Sequence, residues 1–323
     1  EHVFVEYPKC GRLPGHYIGD NHRYSQRMLD AYREHGEHFD FIYAQGLTGR
    51  AFIEAKQNGM VLPPIGVNCH GYEMFQRAAN LKEKLQHWML RPTFRKLTLE
   101  ADFAFSFSGK IRDIVERQIG LTAAKIIQVP NAVDASWLRP AASVTTSKRR
   151  FVFLGRYERR KGIEELNIVL RSMVEAVGFE FHFIGPIPSE KQLEASWVHY
   201  HGSISESSTL IALLDDSDVL VCPSHAEGMP TVILEAMARG LAVIATDVGA
   251  TSEIVDASNG LLLPTVNIDS LRAAIVTMAA LKPAELNRMK CASLTRVKNY
   301  TWERVSQNTH RLIKEVSDVG SPS

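Results

Sequence analysis

Two short stretches of the sequence combine charged residues with turn residues in a way that suits an anionic ligand. In the first, Gly155–Gly162, Arg156 and Lys161 follow an apolar strand pattern and precede a helical one. Ligands of doubly wound folds bind at the carboxyl ends of strands, beside helix N-termini. Arg offers a phosphate a planar fork and Lys a point charge. A solvated basic loop, balanced by Glu158 and Glu164, is the alternative interpretation.

The second stretch follows another apolar strand and carries two carboxylates. Pro230 suits the first position of a helix and Gly240 its end, so a helix is predicted between them. Glu227 then lies in the preceding loop and Glu235 inside the helix, and the free N–H groups around Thr231 attract an anion. The two glutamates can accept hydrogen bonds from two separate hydroxyl-bearing rings, or both can simply be solvated.

Together these stretches resemble motifs of the retaining, nucleotide-sugar-dependent glycosyltransferases with the GT-B fold. Those enzymes grip the donor diphosphate with Gly-Arg, four residues and Lys-Gly. Gly155, Arg156, Lys161 and Gly162 match this pattern at every position. The resemblance covers nearly the whole chain, and it implies an α/β fold of two Rossmann-like, doubly wound parallel-sheet domains.

The same enzymes carry two glutamates with seven residues between them. Glu227 and Glu235 have this spacing here. The resemblance implies that Glu227 faces the donor sugar and that Glu235 binds the ribose hydroxyls. We expect no metal ligand and no cofactor at this site, and a UDP-sugar rather than a GDP-sugar as the donor. The donor-binding residues expected from it are Gly155, Arg156, Lys161, Glu227, Gly228, Met229, Pro230, Thr231 and Glu235.

The first half of the chain contributes a candidate for the reaction centre. His70-Gly71 follows the apolar run Ile65–Cys69 and resembles the His-Gly that ends a strand in these enzymes. A lone histidine after a strand can also be a hydrogen-bonded structural residue. Gln45-Gly46 stands where the group often has another His-Gly. The catalytic residues expected from the resemblance are His70, Arg156, Lys161 and Glu227.

Short apolar runs alternate with amphipathic stretches along the chain, which predicts parallel sheets covered by helices. The predicted strands are His2–Tyr7, Asp40–Ala44, Ile65–Cys69, Ala104–Ser106, Ile126–Val129, Phe151–Leu154, Glu180–Ile184, Val219–Cys222, Ala242–Ala245 and Gly260–Leu263. The predicted helices include Arg23–Arg33, Ile163–Glu175, Ser208–Leu214 and Thr231–Ala238. The polar, aperiodic run Arg139–Lys148 suits an interdomain linker. We expect an acceptor-side domain at 1–142, a nucleotide-sugar domain at 148–300 and, by the resemblance, a helix at 301–316 that crosses back.

The enzymes that the chain resembles begin with a strand, a Gly-Gly loop and a helix, and this unit is not recognisable here. Gly11, Gly15 and Gly19 form a predicted loop after the first strand. That loop precedes the helix leading into Asp40–Ala44, so it corresponds to a later loop of the family. The N-terminal domain is therefore expected to be incomplete.

A basic stretch with interleaved aromatic residues suits an anionic lipid surface. Arg77–Lys96 holds six basic residues against one acid, Glu83, with Trp88 and Phe94 among them. This composition is typical of an interfacial amphipathic helix, and many of the enzymes that the chain resembles act on membrane-linked acceptors. A solvated helix face over a buried stripe is the alternative, and Pro92 is expected to interrupt one continuous helix.

Composition and charge limit the other functions. The 323 residues are 45% hydrophobic and 23% charged with a net charge of +1, which gives no basis for nucleic-acid binding. The four cysteines lie far apart, so they predict neither a disulfide framework nor a zinc site and favour a reducing compartment. No apolar run is long enough to span a bilayer and no signal peptide is visible. We expect a cytoplasmic location, peripheral at the inner face of the membrane if the basic stretch binds lipid.

The sequence thus predicts a retaining transferase that moves a hexose-type sugar from a nucleotide diphosphate to a glycan or lipid-linked acceptor, in polysaccharide or glycolipid synthesis. A nucleotide-sugar epimerase or phosphorylase of the same fold, or a non-catalytic carbohydrate-binding protein, stays open. We expect transfer without a metal. Asp216-Ser217-Asp218 resembles a metal motif of another glycosyltransferase fold, but it precedes the strand Val219–Cys222. Asp215, Asp216 and Asp218 are therefore expected to be solvated turn residues at the wrong end of the sheet.

Overall fold

A computed structural model describes residues 2–8, 16–35, 39–144, 148–173 and 178–319. The chain divides into two compact units. The first comprises Glu1–Phe75, Leu85–Val129 and Gln307–Ser323, and the second comprises Gln76–Lys84 and Pro130–Ser306. The domain limits expected from the sequence, 1–142, 148–300 and 301–316, stay a prediction.

The first unit is built on a sheet of four parallel strands that pair in chain order. Its strands are β1 (Ile42–Gln45), β2 (Ile65–Asn68), β3 (Phe103–Ser106) and β4 (Ile126–Gln128). Its helices are α1 (His16–His35), α2 (Arg50–Gln57), α3 (Leu81–Glu100) and α4 (Gly109–Asp113), and the first residues of α3, Leu81–Lys84, belong to the second unit. In β2, a side chain at Gly66 would come within 2.5 Å of the Phe105 ring and 2.8 Å of the Phe41 ring. Glycine is therefore required where these two rings pack over the strand that leads to His70.

Two predictions in this unit are wrong. His2–Tyr7 pairs with no strand in the described part of the chain, and Phe4 is fully exposed. Without a neighbouring strand, the apolar residues of so short a run have no core face to bury. Gly19 lies inside α1, not in a loop, because the helix begins at His16. Gly11 and Gly15 lie outside the described residues.

The second unit is built on a sheet of six parallel strands in the order β10-β9-β8-β5-β6-β7. Its strands are β5 (Arg149–Leu154), β6 (Phe179–Ile184), β7 (Val198–Tyr200), β8 (Val219–Cys222), β9 (Ala242–Thr246) and β10 (Gly260–Leu263). Its helices are α5 (Ile163–Arg171), α6 (Ser207–Asp215), α7 (Thr231–Ala238), α8 (Thr251–Ile254), α9 (Ile268–Ala280) and α10 (Pro283–Val297). The last helix, α11 (Trp302–Val319), is shared between the two units.

Alternation along β6 decides which of its side chains enter the core. Phe179, Phe181 and Phe183 point to one face and are buried among the residues of α5 and α9, while Glu180 and His182 point to the other face. Each buried phenylalanine contributes roughly 1.5–3 kcal/mol. Residues of β5 and β8 pack in the same apolar layer. This packing positions the two strands and therefore the loops that follow their carboxyl ends.

Candidate donor-binding site

The two charged stretches identified in the sequence leave adjacent strands at the same edge of the second sheet. Strands β5 and β8 pair directly, with Phe151 opposite Val219 and Val152 opposite Leu220. Gly155–Gly162 follows β5, and the loop that carries Glu227 follows β8. The strand order reverses between these two strands, and this is where ligands of open α/β sheets bind.

Lys161 and Glu227 form an ion pair between these loops. The distance between Lys161 Nζ and Glu227 Oε1 is 2.6 Å, and the two side chains are 16% and 8% exposed. The same carboxylate oxygen accepts a hydrogen bond of 2.7 Å from the Ser224 hydroxyl. Arg160 Nη1 lies 3.6 Å from the other oxygen. One buried carboxylate is thus surrounded by two cations and a hydroxyl group.

Two glycines allow the loops to approach this closely. Gly162 has a φ of +68°, and a side chain there would lie 1.8 Å from the carbonyl oxygen of Pro223 in the loop after β8. Gly249, after β9, has a φ of +57°, and its side chain would lie 2.2 Å from the carbonyl oxygens of both Glu227 and Gly228. Any larger residue at either position would push the Glu227 loop out of place.

Two amide side chains hold the backbone of the Glu227 loop. The Gln76 amide donates a hydrogen bond of 2.5 Å to the carbonyl oxygen of Glu227 and accepts one of 3.3 Å from the N–H of the same residue. The Asn131 amide donates one of 2.6 Å to the carbonyl oxygen of Met229. Met229 itself is buried. The loop that carries Glu227 is therefore fixed along its backbone by the protein's own side chains.

A second charge network stabilises the turn between β5 and α5. Arg159 binds both oxygens of Glu165, at 2.7 and 2.6 Å. His225 Nε2 lies 3.0 Å from Glu165 and 2.8 Å from Arg159. Although desolvation of Glu165 opposes ionisation, the hydrogen bonds from His225 and Arg159 lower the pKa of this carboxyl to about 2. This network ties the two site loops together from the side.

Helix α7 offers its N-terminus beside the same loop. Its N-cap is Pro230, which supplies no side-chain cap to the N–H groups of Thr231 and Val232, whereas the N–H of Ile233 donates to the carbonyl oxygen of Pro230 at 3.1 Å. A helix N-terminus of this kind can attract an anion. Glu235 follows one turn later and is only partly exposed. Desolvation raises the pKa of Glu235. The roles predicted for Gly228, Pro230 and Thr231 in donor binding stay predictions.

Arg156 is oriented differently from Lys161. Its guanidinium lies 2.9 Å from Glu158 Oε1, and the side chain is 69% exposed. Gly155, directly after β5, donates its N–H to the carbonyl oxygen of Ile184 at 2.9 Å, and a side chain there would lie 3.4 Å from the Phe153 ring. The roles predicted for Arg156 and Gly155 in donor binding stay predictions.

His70 lies in the first unit, in the turn after β2. It has a φ of +52°, a conformation that is uncommon for a residue with a side chain, and its N–H donates to Asn68 Oδ1 at 2.9 Å. The side chain remains exposed, and partial desolvation of the ring lowers the pKa of His70 against the opposing effect of Glu73. Tyr72, two residues later, also has a positive φ and is buried. The imidazole packs beside the Phe107 ring, with 6.3 Å between the ring centroids. The role predicted for His70 at the reaction centre stays a prediction.

The aspartates before β8 lie where the sequence placed them, but they are not solvated alike. Asp216 is 73% exposed. Asp218 is buried, and Lys290 Nζ, with a side chain 0% exposed, lies 2.8 Å from it. Asp215 binds the Arg239 guanidinium through both oxygens at 2.7 Å. The expectation of solvated turn residues is therefore wrong for Asp218 and Asp215. Asp218 pairs with Lys290 of α10, and Asp215 pairs with Arg239, the residue after α7. A buried cation needs such a partner.

Sequence reasoning missed several residues of this site. Arg160 and Ser224 lie within the two charged stretches but were not predicted as site residues. The position of Ser224, three residues before Glu227, was the one local indication that its hydroxyl could reach that carboxylate. Gly249 follows a predicted strand and marks a close approach. No local signal identifies Gln76, which is 151 positions from its partner.

Comparison with known proteins relates part of the second unit to a protein family. Residues 148–280 match the family model described as Glycosyl transferases group 1. The chain is 28% identical over 245 residues to TuaC of Bacillus subtilis, which by its provisional name is a teichuronic acid biosynthesis glycosyltransferase. It is 27% identical over 254 residues to the phosphatidyl-myo-inositol mannosyltransferase of Mycolicibacterium smegmatis. These alignments cover 74% and 71% of this chain but only 59% and 65% of the relatives, so the chain spans less than two thirds of their length.

Solved structures share the fold across both units. Sucrose-phosphate synthase from Thermosynechococcus elongatus superposes with a TM-score of 0.81 at 19% identity, covering 98% of this chain and 84% of that one. Anabaena Alr3699/HepE, in complex with UDP and glucose, gives a TM-score of 0.69 at 16% identity and covers 91% and 81% of the two chains. The predicted fold class, two parallel-sheet α/β domains of the GT-B kind, is confirmed.

Proposed function

We propose that the chain is a retaining glycosyltransferase that transfers a hexose-type sugar from a UDP-sugar to a glycan or lipid-linked acceptor, in polysaccharide or glycolipid synthesis. The observation that carries this proposal is the Lys161–Glu227 pair, held at the carboxyl ends of β5 and β8 beside the open N-terminus of α7. It places a cation for a diphosphate and a carboxylate for sugar hydroxyls on two adjacent loops. The family match over 148–280 and the two named relatives support the same class.

The arrangement favours departure of a nucleotide diphosphate. Breaking the bond between the sugar C1 and the phosphate oxygen builds negative charge on that oxygen. Lys161, Arg160 and the N–H groups near Thr231 stabilise this charge electrostatically, and each such donor is worth about 2.7–4 kcal/mol in comparable sites. The acceptor oxygen bonds to C1 on the face that the phosphate leaves, and its proton passes to the leaving phosphate. No nucleophile from the protein is then required.

UDP is the nucleotide that we favour, since one protein of the same fold was determined in complex with UDP and glucose. Glu235, partly buried in α7, is the residue to which we assign the ribose hydroxyls. His70 is the residue to which we assign contact with the reacting sugar. Metal-independent transfer forms part of the proposal, because the cationic groups around Glu227 already neutralise a diphosphate.

The acceptor side includes a surface suited to lipid. Along α3, Leu81, Leu85 and Trp88 recur at helical spacing and are 83%, 60% and 70% exposed. Lys82 and Lys84 lie exposed beside them. We propose that this face binds an anionic membrane, as a peripheral protein at its cytoplasmic side would. In the described residues no helix is both long and apolar enough to cross a bilayer.

One expectation about this helix is wrong. α3 runs continuously through Pro92. A proline inside a helix lacks one N–H and crowds the preceding turn, yet buried Phe94, Leu97 and Thr98 anchor the following turn to the core. The helix is therefore retained by packing, and its N-terminal half projects the exposed apolar residues.

Titration calorimetry with UDP, GDP and ADP, followed by NMR of UDP-hexoses mixed with a membrane lipid extract, tests the function. We expect UDP binding, and a product whose anomeric signal keeps the donor's configuration. An altered free sugar without an acceptor would identify an epimerase instead. Binding without any turnover would identify a carbohydrate-binding protein. Absence of binding by all three nucleotides would overturn the proposal.

A further inference from the structure

Three histidines and a glutamate gather at the edge of the second sheet, on the face opposite the phenylalanine core. Glu180 and His182 alternate along β6, and His199 of β7 lies directly opposite His182 in the register of the two strands. One ligand atom from each of these three residues lies within 4.8 Å of the other two. His201 directly follows β7, and its Nε2 lies 2.9 Å from His182 Nδ1.

The hydrogen bonds of His182 leave one of its nitrogens unused. If Nδ1–H donates to His201, then Nε2 carries a lone pair directed towards Glu180 Oε2, which is 3.7 Å away. Two electron-rich atoms then face each other inside the protein. If Nε2 carries the hydrogen instead, that N–H is buried without a hydrogen-bond partner among the described residues. In either tautomer, His182 Nε2 has no hydrogen-bond partner among the described residues, while Arg150 Nε lies 3.2 Å from Glu180 Oε2.

The residues around His182 orient its ring towards a metal ion. The His201 contact fixes the His182 ring, which is how a second residue normally orients a metal-binding histidine. The strands supply a rigid base, because β6 and β7 are hydrogen-bonded to each other throughout this region.

We propose that Glu180, His182 and His199 bind a divalent transition-metal ion such as Zn²⁺, which fastens the edge strand β7 to β6. Two imidazoles and a carboxylate are a donor set that zinc accepts, with solvent as the fourth ligand. Bond lengths of about 2.0–2.2 Å place tetrahedral ligands roughly 3.3 Å apart. The 3.7 Å between His182 and Glu180 therefore needs only a small closure.

Competing cations set how tightly the ion binds. Lys148 Nζ lies 2.8 Å from Glu180 Oε1, and Arg150 Nε lies 3.2 Å from Oε2. Both must share the carboxylate with the metal, and their charges repel it. Lys148 is 53% exposed and can move aside into solvent, whereas Arg150 also lies 3.5 Å from Asp216. Removal of the Lys148 charge should therefore tighten binding, which an ordinary surface histidine cluster would not predict.

Zinc binding to the untagged chain, stripped with chelator, tests the site. We expect one Zn²⁺ per chain by calorimetry, a melting temperature that rises with zinc concentration, and affinity at least tenfold weaker in His182→Ala and in His199→Ala. Lys148→Ala should bind at least threefold tighter. His310→Ala, an exposed histidine on α11, is the matched control and should bind as the wild type does.

If a variant fails to fold, measurements on the wild-type chain still test the proposal. Co²⁺ added to it should give the intense visible absorption of a four-coordinate ion, and X-ray absorption should find imidazole ligands. Absence of stoichiometric zinc binding, or binding that His182→Ala and His199→Ala leave unchanged, would overturn the proposal. Neither result bears on the donor site, since each readout is independent of sugar transfer.

Discussion

Lys161 Nζ lies 2.6 Å from Glu227 Oε1, so the cation expected to hold the donor diphosphate is paired with the carboxylate expected to face the donor sugar. Both side chains are largely buried, and neither is free to reorganise in solvent. A bound donor that takes the charge of Lys161 through its phosphate leaves Glu227 to its own hydroxyl partners. The pair thus holds both side chains in place, and we expect a bound donor to replace it.

Glu227→Ala should abolish transfer while leaving nucleotide binding nearly intact. The change removes the proposed sugar contact but releases Lys161 for the diphosphate. We expect the transfer rate to fall by about 10²–10³, the loss typical of one preorganised polar group in an active site. The UDP dissociation constant should stay the same or improve. Parallel calorimetry and turnover measurements check this, with Glu164→Ala as the control for a nearby exposed glutamate. Collapse of UDP binding with transfer retained would show that the glutamate roles are reversed.

Glu235→Gln should weaken UDP binding and remove its dependence on pH in the acid range. An ionised carboxylate accepts two ribose O–H groups, and an amide oxygen is a weaker acceptor. Desolvation raises the pKa of Glu235, so the wild-type carboxyl takes up its proton at a higher pH than an ordinary glutamate does. Wild-type affinity should therefore fall as the pH drops through that raised pKa. Calorimetry at several pH values measures this, and an unchanged constant in the variant would remove Glu235 from the site.

The sequence predicted elements of the second unit better than the contacts between them. Val219–Cys222, Gly260–Leu263 and Thr231–Ala238 have the predicted limits, because each is an apolar run bounded by turn residues. β7 was missed, since its three residues Val198–Tyr200 include a polar histidine and form a strand only by pairing with β6.

The site shows the same limit. The motif spacing identified Lys161 and Glu227 as separate ligands, but a spacing cannot reveal that two residues 66 positions apart form an ion pair. The bonds from Gln76 to the Glu227 backbone depend on a segment that folds onto the second unit from far along the chain. Such contacts follow from the tertiary fold and carry no local pattern.

His70→Asn should lower turnover with folding intact. Asparagine tolerates a positive φ better than most residues, so it preserves the turn at φ +52° while removing the imidazole. We expect kcat to fall by about 10²-fold, the low end for a proton-transfer or contacting group. His70→Gly is the conformational control, with an unfolding free energy within about 1 kcal/mol of the wild type. Unfolding of the asparagine variant with full activity per folded molecule would make His70 structural.

Vesicles containing anionic lipid should recruit the chain through the exposed face of α3, and salt should release it. Each Lys or Arg near the surface contributes about 1 kcal/mol at low salt, and 0.1 M salt screens charges beyond about 10 Å. Leu85→Glu with Trp88→Glu should abolish co-sedimentation. Trp302→Glu, at a residue 51% exposed on α11, is the matched control. Equal sedimentation of all three proteins, or none with the wild type at low salt, would exclude this surface.

Asp218→Ala should destabilise the protein strongly, unlike Asp216→Ala. Asp218 is a partner of the fully buried Lys290, which also donates a hydrogen bond of 2.9 Å to the Ser143 hydroxyl. Removal of one member of a buried ion pair costs about 3–5 kcal/mol, because the remaining charge stays buried. Asp216 is exposed, so its removal should change the unfolding free energy by less than about 0.5 kcal/mol. Urea unfolding of the two variants measures the difference, and equal stability would contradict the burial of this pair.

The destabilisation expected of Asp218→Ala decides how metal-independent transfer must be tested. The double variant Asp216→Ala, Asp218→Ala would lose activity through unfolding, so its loss would reveal nothing about a metal. Excess EDTA with the wild type, and Asp216→Ala alone, separate the two causes. We expect transfer to persist in both, because Asp216 and Asp218 precede β8 whereas Lys161, Arg160 and Glu227 gather beyond the carboxyl ends of the strands. Activity lost in chelator and restored by Mn²⁺ or Mg²⁺, with Asp216→Ala inactive but folded, would instead place the diphosphate near the aspartates.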